Sequence, residues 1–213
     1  PRRAMRILHL SALPVWPIAG KGGMPSLEQT LLGHLRGGHE VVLILPAWNL
    51  FADQPESVEA GSTNIEAGSM FRVHFAGCRW APAMISMRNA ARRLGKKGEI
   101  PFVLRWMINL LTCFLLTASM IRAAMTLRRR DRRRRRFDLV YAHNQYAAPA
   151  GWIVSRILGV PNVTRLYGTF LADLMKRPLV ALRYPVAAAG YLVPSDLLIC
   201  CNDGTRGDKV ARK

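Results

Sequence analysis

Several short stretches of this chain place polar side chains directly after an apolar run. "FDLVYAHN" ends in His143 and Asn144, "VTRLYGT" carries Arg165 and Thr169, and "LLICCND" passes into Asn202 and Asp203. The stretch after "MRILHLSA" holds Gly20, Lys21, Gly22 and Gly23, and "RRRDRRRRR" sets eight arginines between Arg128 and Arg136. In parallel α/β sheets the carboxyl ends of the strands form the ligand crevice, so polar groups at such ends are candidates for binding or chemistry. These residues matter only if the chain builds a sheet that brings them to one edge.

The elements for that sheet are legible. "MRILHLSA" and "EVVLILP" are dense enough in apolar residues to be strands buried on both faces, the pattern a parallel sheet requires. Between them "SLEQTLLGHLR" carries Leu27, Leu31, Leu32 and Leu35 on one helical stripe, with Ser26 and Gln29 at capping-box spacing and Gly37–Gly38 as a stop. Residues 5 to 46 therefore predict a βαβ unit. "MFRVHFAG" predicts a third strand, followed by a short basic helix from about Ile85 to Leu94. "FDLVYAH", "VPNVTRLYG" and "SDLLICCND" predict three more strands; a helix that Gly159 ends follows the first, and a helical stretch interrupted by Pro178 and Pro185 follows the second. The alternation predicts a three-layer, doubly wound parallel sheet with right-handed crossovers, in one Rossmann-like domain over residues 1–213.

Charge is concentrated. Between Arg88 and Arg136 fifteen Lys/Arg stand against Glu99 and Asp131, a net +13 of the chain's +18. That points to a localised anionic partner surface, a membrane or nucleic acid, against the plainer reading of a solvated helix end. The same region holds a long helical pattern from Ile100 to Leu127, whose apolar stretch between Arg105 and Arg122 is sixteen residues. About twenty are needed to cross a bilayer, so the expectation is a buried or membrane-lying helix within a basic insertion spanning about 85–136. Arg128, Arg129, Arg130, Arg132 and Arg133 are the candidate docking residues. A nucleic-acid-binding module is the alternative, although no aromatic residues interleave the arginines. Cys78, Cys113, Cys200 and Cys201 lack zinc spacing, so no metal is expected; Cys200 and Cys201 read as small buried hydrophobes in a reducing, cytoplasmic setting.

Three patches, "AGKGGMPSLEQTLLGHLRGGHEV", "FDLVYAHNQYAAPAGWIVSRILGVPNVTRLYGTF" and "LLICCNDGTRGDKVA", in this order and spacing resemble the amino-terminal half of glycosyltransferase family 4. Those are retaining, nucleotide-sugar-dependent enzymes of the two-Rossmann GT-B architecture. The resemblance implies that Gly22 and Gly23 approach the donor diphosphate, where glycine lets backbone N–H groups come close to phosphate oxygens beside a helix N-terminus. It implies that His143 hydrogen-bonds the transferred sugar as the catalytic histidine, with Asn144 beside it on the donor side. Arg165, Thr169 and Asn202 become acceptor or crevice candidates. Tyr167 departs from the pattern, standing where many relatives have histidine.

The family's main donor determinants, a basic pair and two glutamates seven residues apart, belong to a carboxyl-terminal domain. The resemblance therefore implies an acceptor-side fragment, inert alone, with a nucleotide sugar as co-substrate rather than a bound cofactor and no metal. Its acceptor would be a saccharide or a lipid-linked sugar, and its place the cytoplasmic face of the cell membrane.

Overall fold

A computed structural model describes residues 3–13, 25–47, 70–94, 101–131, 136–167, 171, 179–201 and 207–212. Six strands form one sheet: β1 (Arg6–Ser11), β2 (Glu40–Pro46), β3 (Phe71–Ala76), β4 (Leu139–His143), β5 (Asn162–Leu166) and β6 (Leu197–Cys200). Every pairing is parallel, in the order β3-β2-β1-β4-β5-β6. The helices are α1 (Pro25–Arg36), α2 (Ala81–Leu94), α3 (Phe102–Arg130), α4 (Ala148–Leu158), α5 (Val180–Arg183), α6 (Pro185–Leu192) and α7 (Gly207–Ala211). The three-layer, all-parallel α/β architecture is the one the sequence predicts.

The order of strands fixes where a ligand crevice lies. From β1 the chain winds outward through β2 to β3, then returns to the other side of β1 and winds outward through β4, β5 and β6. The reversal between β1 and β4 is the topological switch point, where open α/β sheets bind ligands at the carboxyl ends of their strands. Ser11 is in register with His143 across this point.

Side-chain alternation sorts the two faces. Leu8, Leu10, Val42, Ile44, Val140 and Ala142 pack against Leu116, Met120, Ala124 and Leu127 of α3 and against Ala150 and Val154 of α4. On the other face Leu27 and Leu31 of α1 cover Val41, Leu43 and Leu45. Helix α4 enters through Pro149 and ends at Gly159, whose φ of 68° is the left-handed cap that favours glycine. Gly151 lets α4 lie close on β4, since a Cβ there would stand 2.6 Å from Ala142 Cβ.

Helix α3 is a core helix along most of its length: its buried residues, from Ile108 through Leu116 and Met120 to Leu127, form one stripe on the sheet. By length and composition alone it is apolar enough to cross a membrane. Its first turns differ, with Val103, Met107 and Phe114 more than half exposed. Its far end is tied to the starts of the strands. Arg6, 2 % exposed, pairs with Glu40 at 3.1 Å and with Asp131, and Arg72 pairs with the same two carboxylates at 2.5 and 3.3 Å. The one acid inside the arginine run is thereby drawn into a four-member network at the amino edge of the sheet.

Local expectations need three corrections. Ser26 is not an N-cap: Pro25 already opens α1, so Ser26 and Gln29 lie within the helix and line a cleft instead. Helix α2 begins at Ala81, four residues before the expected start. Cys200 and Cys201 are half-buried rather than buried, because β6 is the outermost strand, and the Cys201 sulfur accepts a hydrogen bond from Arg165.

Candidate functional site

The candidate site grows from residues of odd parity on β1, β4 and β5. In a strand alternate residues share a face, so His9, Tyr141, His143 and Arg165 all point to the α1 side, with Tyr167 next in line. Helix α1 supplies the opposite wall, where Ser26, Thr30 and His34 repeat every four residues along one face.

Three imidazoles and a phenol form one hydrogen-bonded line. His34 Nδ1 lies 3.1 Å from His9 Nε2, His9 Nδ1 lies 2.8 Å from His143 Nε2, and His143 Nδ1 lies 2.6 Å from the Tyr167 hydroxyl. Tyr141 stacks on both inner rings, its centroid 5.1 Å from His9 and 4.6 Å from His143. His9 and His143 are fully buried. Burial pushes both pKa values well below the ordinary histidine value; His143 and then His34 add to the effect at His9, and Arg165 and then His34 add to it at His143. Both rings are therefore neutral, with one N–H each. Their hydrogen bonds must run head to tail, from Tyr167 towards His34 or the reverse.

The remaining members frame the line. Burial raises the Tyr167 and Tyr141 pKa values, so both stay phenols. Burial opposes the Arg165 charge, but its bond to Cys201 and the nearby tyrosines outweigh that and leave its pKa raised. Its Nη1 donates to Thr30 Oγ1 at 2.6 Å, and its guanidinium lies 5.4 Å from the Tyr167 ring centroid. Ser26, Gln29, Thr30, Gly33, His34, Tyr141 and Arg165 enclose an open cleft of about 540 Å³. This volume falls in the range of small-molecule sites.

The structure treats the sequence candidates unequally. His143 stands at the carboxyl end of β4 beside the switch point, but both its ring nitrogens are bonded within the protein, so in this arrangement it has none free for a sugar. Asn144 adopts a φ of 70°, and its Oδ1 accepts the N–H groups of Tyr146 and Ala147 at 3.0 and 3.2 Å, shaping the turn into α4. Its Nδ2 is buried with no hydrogen-bond partner among the described residues, which leaves one donor for a ligand. Arg165 is brought to the cleft. Gly22, Gly23, Thr169, Asn202, Arg132 and Arg133 lie outside the described residues. Arg128, Arg129 and Arg130 are exposed at the end of α3, with Arg128 donating to the Ile157 carbonyl. His9, His34 and Tyr141 are not among the sequence candidates, although His34 and Tyr141 lie inside two of the resembling stretches. The one signal for His9 is a histidine interrupting the buried run "RILHLS".

Among the described residues no group of three His, Cys, Asp or Glu is arranged to hold a metal ion. Both nitrogens of His9 and of His143 are taken up by the line, which does not use His34 Nε2. No protein-family model matches this sequence, and no curated protein does. Solved structures do. The calicheamicin glycosyltransferase CalG4 superposes with a TM-score of 0.53 at 16% identity, covering 88% of this chain and 42% of that one. Os79 from O. sativa, in complex with UDP and deoxynivalenol-3-glucoside, gives 0.43 at 19% identity over 86% and 35%. Phytolacca americana UGT2, complexed with UDP-2fluoro-glucose and pterostilbene, gives 0.43 at 15% over 84% and 33%. The first shares the fold. The chain spans less than half the length of each.

Proposed function

We propose that this chain is the acceptor-side half of a glycosyltransferase that moves a sugar from a nucleotide-sugar donor to a saccharide or lipid-linked acceptor. One observation carries the reading: a sheet with the fold of a glycosyltransferase domain has its switch point lined by His143 and the chain leaving β1. In this reading Gly22 and Gly23 approach the donor diphosphate. The free Nδ2 of Asn144 and the Arg165, Thr169 and Asn202 side chains face donor or acceptor oxygens. His143 acts through Tyr167, holding its hydroxyl, rather than by touching the sugar.

Retention of anomeric configuration is the stereochemical course we assign. Inversion needs a general base within reach of the acceptor hydroxyl. Here His143 is neutral with both nitrogens committed, and the described residues at the carboxyl ends of the strands include no carboxylate. Retention by attack on the face the leaving group departs from needs no base from this half, because the departing phosphate oxygen can accept the proton. Positioning and stabilisation of the leaving group then supply the rate.

We further assign the chain to an anionic membrane surface on the cytoplasmic side. Helix α3, 29 residues and so about 43 Å long, exposes Phe102, Val103, Met107 and Phe114 near one end and Arg128–Arg130 at the other. Lying along a bilayer, it would engage both, each basic residue contributing roughly 1 kcal/mol. No observation favours the nucleic-acid alternative.

The test is transfer from radiolabelled uridine- and guanosine-diphosphate sugars to lipid and saccharide acceptors. Residues 1–213 alone should give none, and the same chain joined to its downstream coding sequence should give an α-configured product from an α-linked donor. Turnover by residues 1–213 overturns the half-enzyme reading, and an inverted product overturns retention.

A further inference from the structure

The cleft between α1 and the strands β4 and β5 has a charge imbalance. Among the described residues Arg165 is its one fixed charge, held in place by Thr30 Oγ1 and Cys201 Sγ, and it has no carboxylate partner there. None of the seven residues lining the cleft is acidic; five carry hydroxyl, amide, imidazole or phenol groups capable of donating a hydrogen bond. Half-buried cations in proteins are ordinarily paired, so a positioned guanidinium facing a polar, acid-free cleft lacks its counter-charge.

We propose that this cleft is a binding site for an oxyanion of the phosphate class, with Arg165 as its fixed cation and His34 as a second cation that becomes charged when the anion binds. The reasoning for His34 is geometric. It is the end of the line His34–His9–His143–Tyr167, and of the three rings it alone lines the cleft. With the line running from Tyr167 towards His34, a proton taken up at His34 Nδ1 turns that nitrogen from acceptor into donor towards His9 Nε2. The line then reverses direction: His9 Nδ1–H donates to His143 Nε2, and His143 Nδ1–H donates to the Tyr167 oxygen. The Tyr167 hydroxyl turns to Ser26, its other partner and also a lining residue. Each inner ring keeps one proton, so no charge enters the buried positions.

The groups facing His34 are His9 on β1, Tyr141 on β4 and His39 beyond the end of α1, with Arg165 across the cleft. Burial first, and His39 second, hold the His34 pKa below its ordinary value in the free protein. A bound dianion opposes both effects. Affinity must then rise as pH falls through the window between the bound and the free His34 pKa values, by up to about tenfold per pH unit, with at most one proton taken up per anion.

This inference does not rest on the sugar-transfer reading, and its test involves no transfer. Sulfate serves as the probe because it stays dianionic throughout pH 5.5–8. Titration calorimetry in two buffers of different ionisation enthalpy should give saturable binding, tighter at pH 5.5 than at 7.5, with net proton uptake of up to one per anion. Arg165→Gln should weaken binding at least tenfold. His34→Gln should keep binding but lose the pH dependence. In the wild-type chain the His34 Cε1 NMR titration should move to higher pH when sulfate is added, a readout that needs no variant to fold. Glucose 1-phosphate against inorganic phosphate separates an esterified ligand from a free ion, and either outcome supports the site. Absence of saturable binding at pH 5.5, equal binding by Arg165→Gln, or an unmoved His34 titration overturns it.

Discussion

Acid should destabilise this protein well before its carboxylates titrate. His9 and His143 are fully buried, and burial lowers both pKa values far below the unfolded value of about 6.5. A histidine shifted downward favours the native state while it is neutral, so its contribution is complete above the unfolded pKa and is lost as pH falls below it. Between pH 7.5 and 5.5 an unfolded histidine gains a proton that the buried one refuses. Each such group then costs about 1.4 kcal/mol, and the pair about 2.7 kcal/mol. This is a large share of a domain stability that is commonly about 5–15 kcal/mol. Urea unfolding followed by circular dichroism at pH 7.5, 6.5 and 5.5 measures it, together with a His9→Leu/His143→Leu double variant. The wild type should lose at least about 2.7 kcal/mol over that span, because burial lowers the His34 and His74 pKa values too, and the double variant should lose about 2.7 kcal/mol less than the wild type, whatever its starting stability. A wild-type stability that stays level, or an equal loss in the double variant, would refute a buried neutral pair.

Three further outcomes follow from the same contacts. Tyr167→Phe removes the hydroxyl 2.6 Å from His143 Nδ1 and leaves a buried imidazole nitrogen without its partner, a cost of about 1–3 kcal/mol by urea unfolding, with histidine NMR reporting a changed His143 environment. Gly151→Ala sets a methyl group 2.6 Å from Ala142 Cβ, where neither α4 nor β4 can yield by a rotamer change, and should cost about 1–3 kcal/mol by thermal or chemical unfolding. Flotation with anionic and neutral vesicles tests α3: salt-sensitive binding to anionic vesicles is expected, weakened by Arg128→Glu/Arg129→Glu, and equal binding to both vesicle types would refute the electrostatic part.

The sheet was legible because its signal is local. Runs such as "EVVLILP" and "RILHLS" have few polar positions, as strands covered on both faces must, and the helices between them dictate parallel pairing. The register that sets Ser11 beside His143 follows from the winding, so the edge on which the polar residues gather could be anticipated as well. The histidine line could not. His9, His34 and His143 are separated by 25 and 109 positions of chain, and what joins them is strand parity plus the placement of α1 on one face. Spacing rules describe ligands on one element or one loop, and this set spans two strands and a helix. Tyr167 shows the same gap from another side. By sequence it is a departure from a histidine pattern, whereas in the fold its hydroxyl completes the line by bonding His143.

The two ends of the strands divide the electrostatic problem of so basic a chain. At the amino edge two arginines are neutralised by two carboxylates, and this choice recruits Asp131, the only acid in the arginine run, while Arg128–Arg130 stay outside and exposed. At the carboxyl edge the polar groups are instead kept neutral by burial, with Arg165 the one charge among the cleft's lining. Removing the amino-edge solution should therefore be costly in a way that lining substitutions are not. Asp131→Asn leaves Arg6, 2 % exposed, to share Glu40 with Arg72, so two clustered cations face one carboxylate. Breaking a buried pair costs about 3–5 kcal/mol, and since Glu40 remains the loss should fall near the lower end. Glu40→Gln should cost a similar amount, and the double variant should cost more than the sum, because both carboxylates that bridge the two arginines are then gone. Additive losses in that cycle would show that the four groups act as independent pairs, and the division of charge between the two edges would then be incidental to stability.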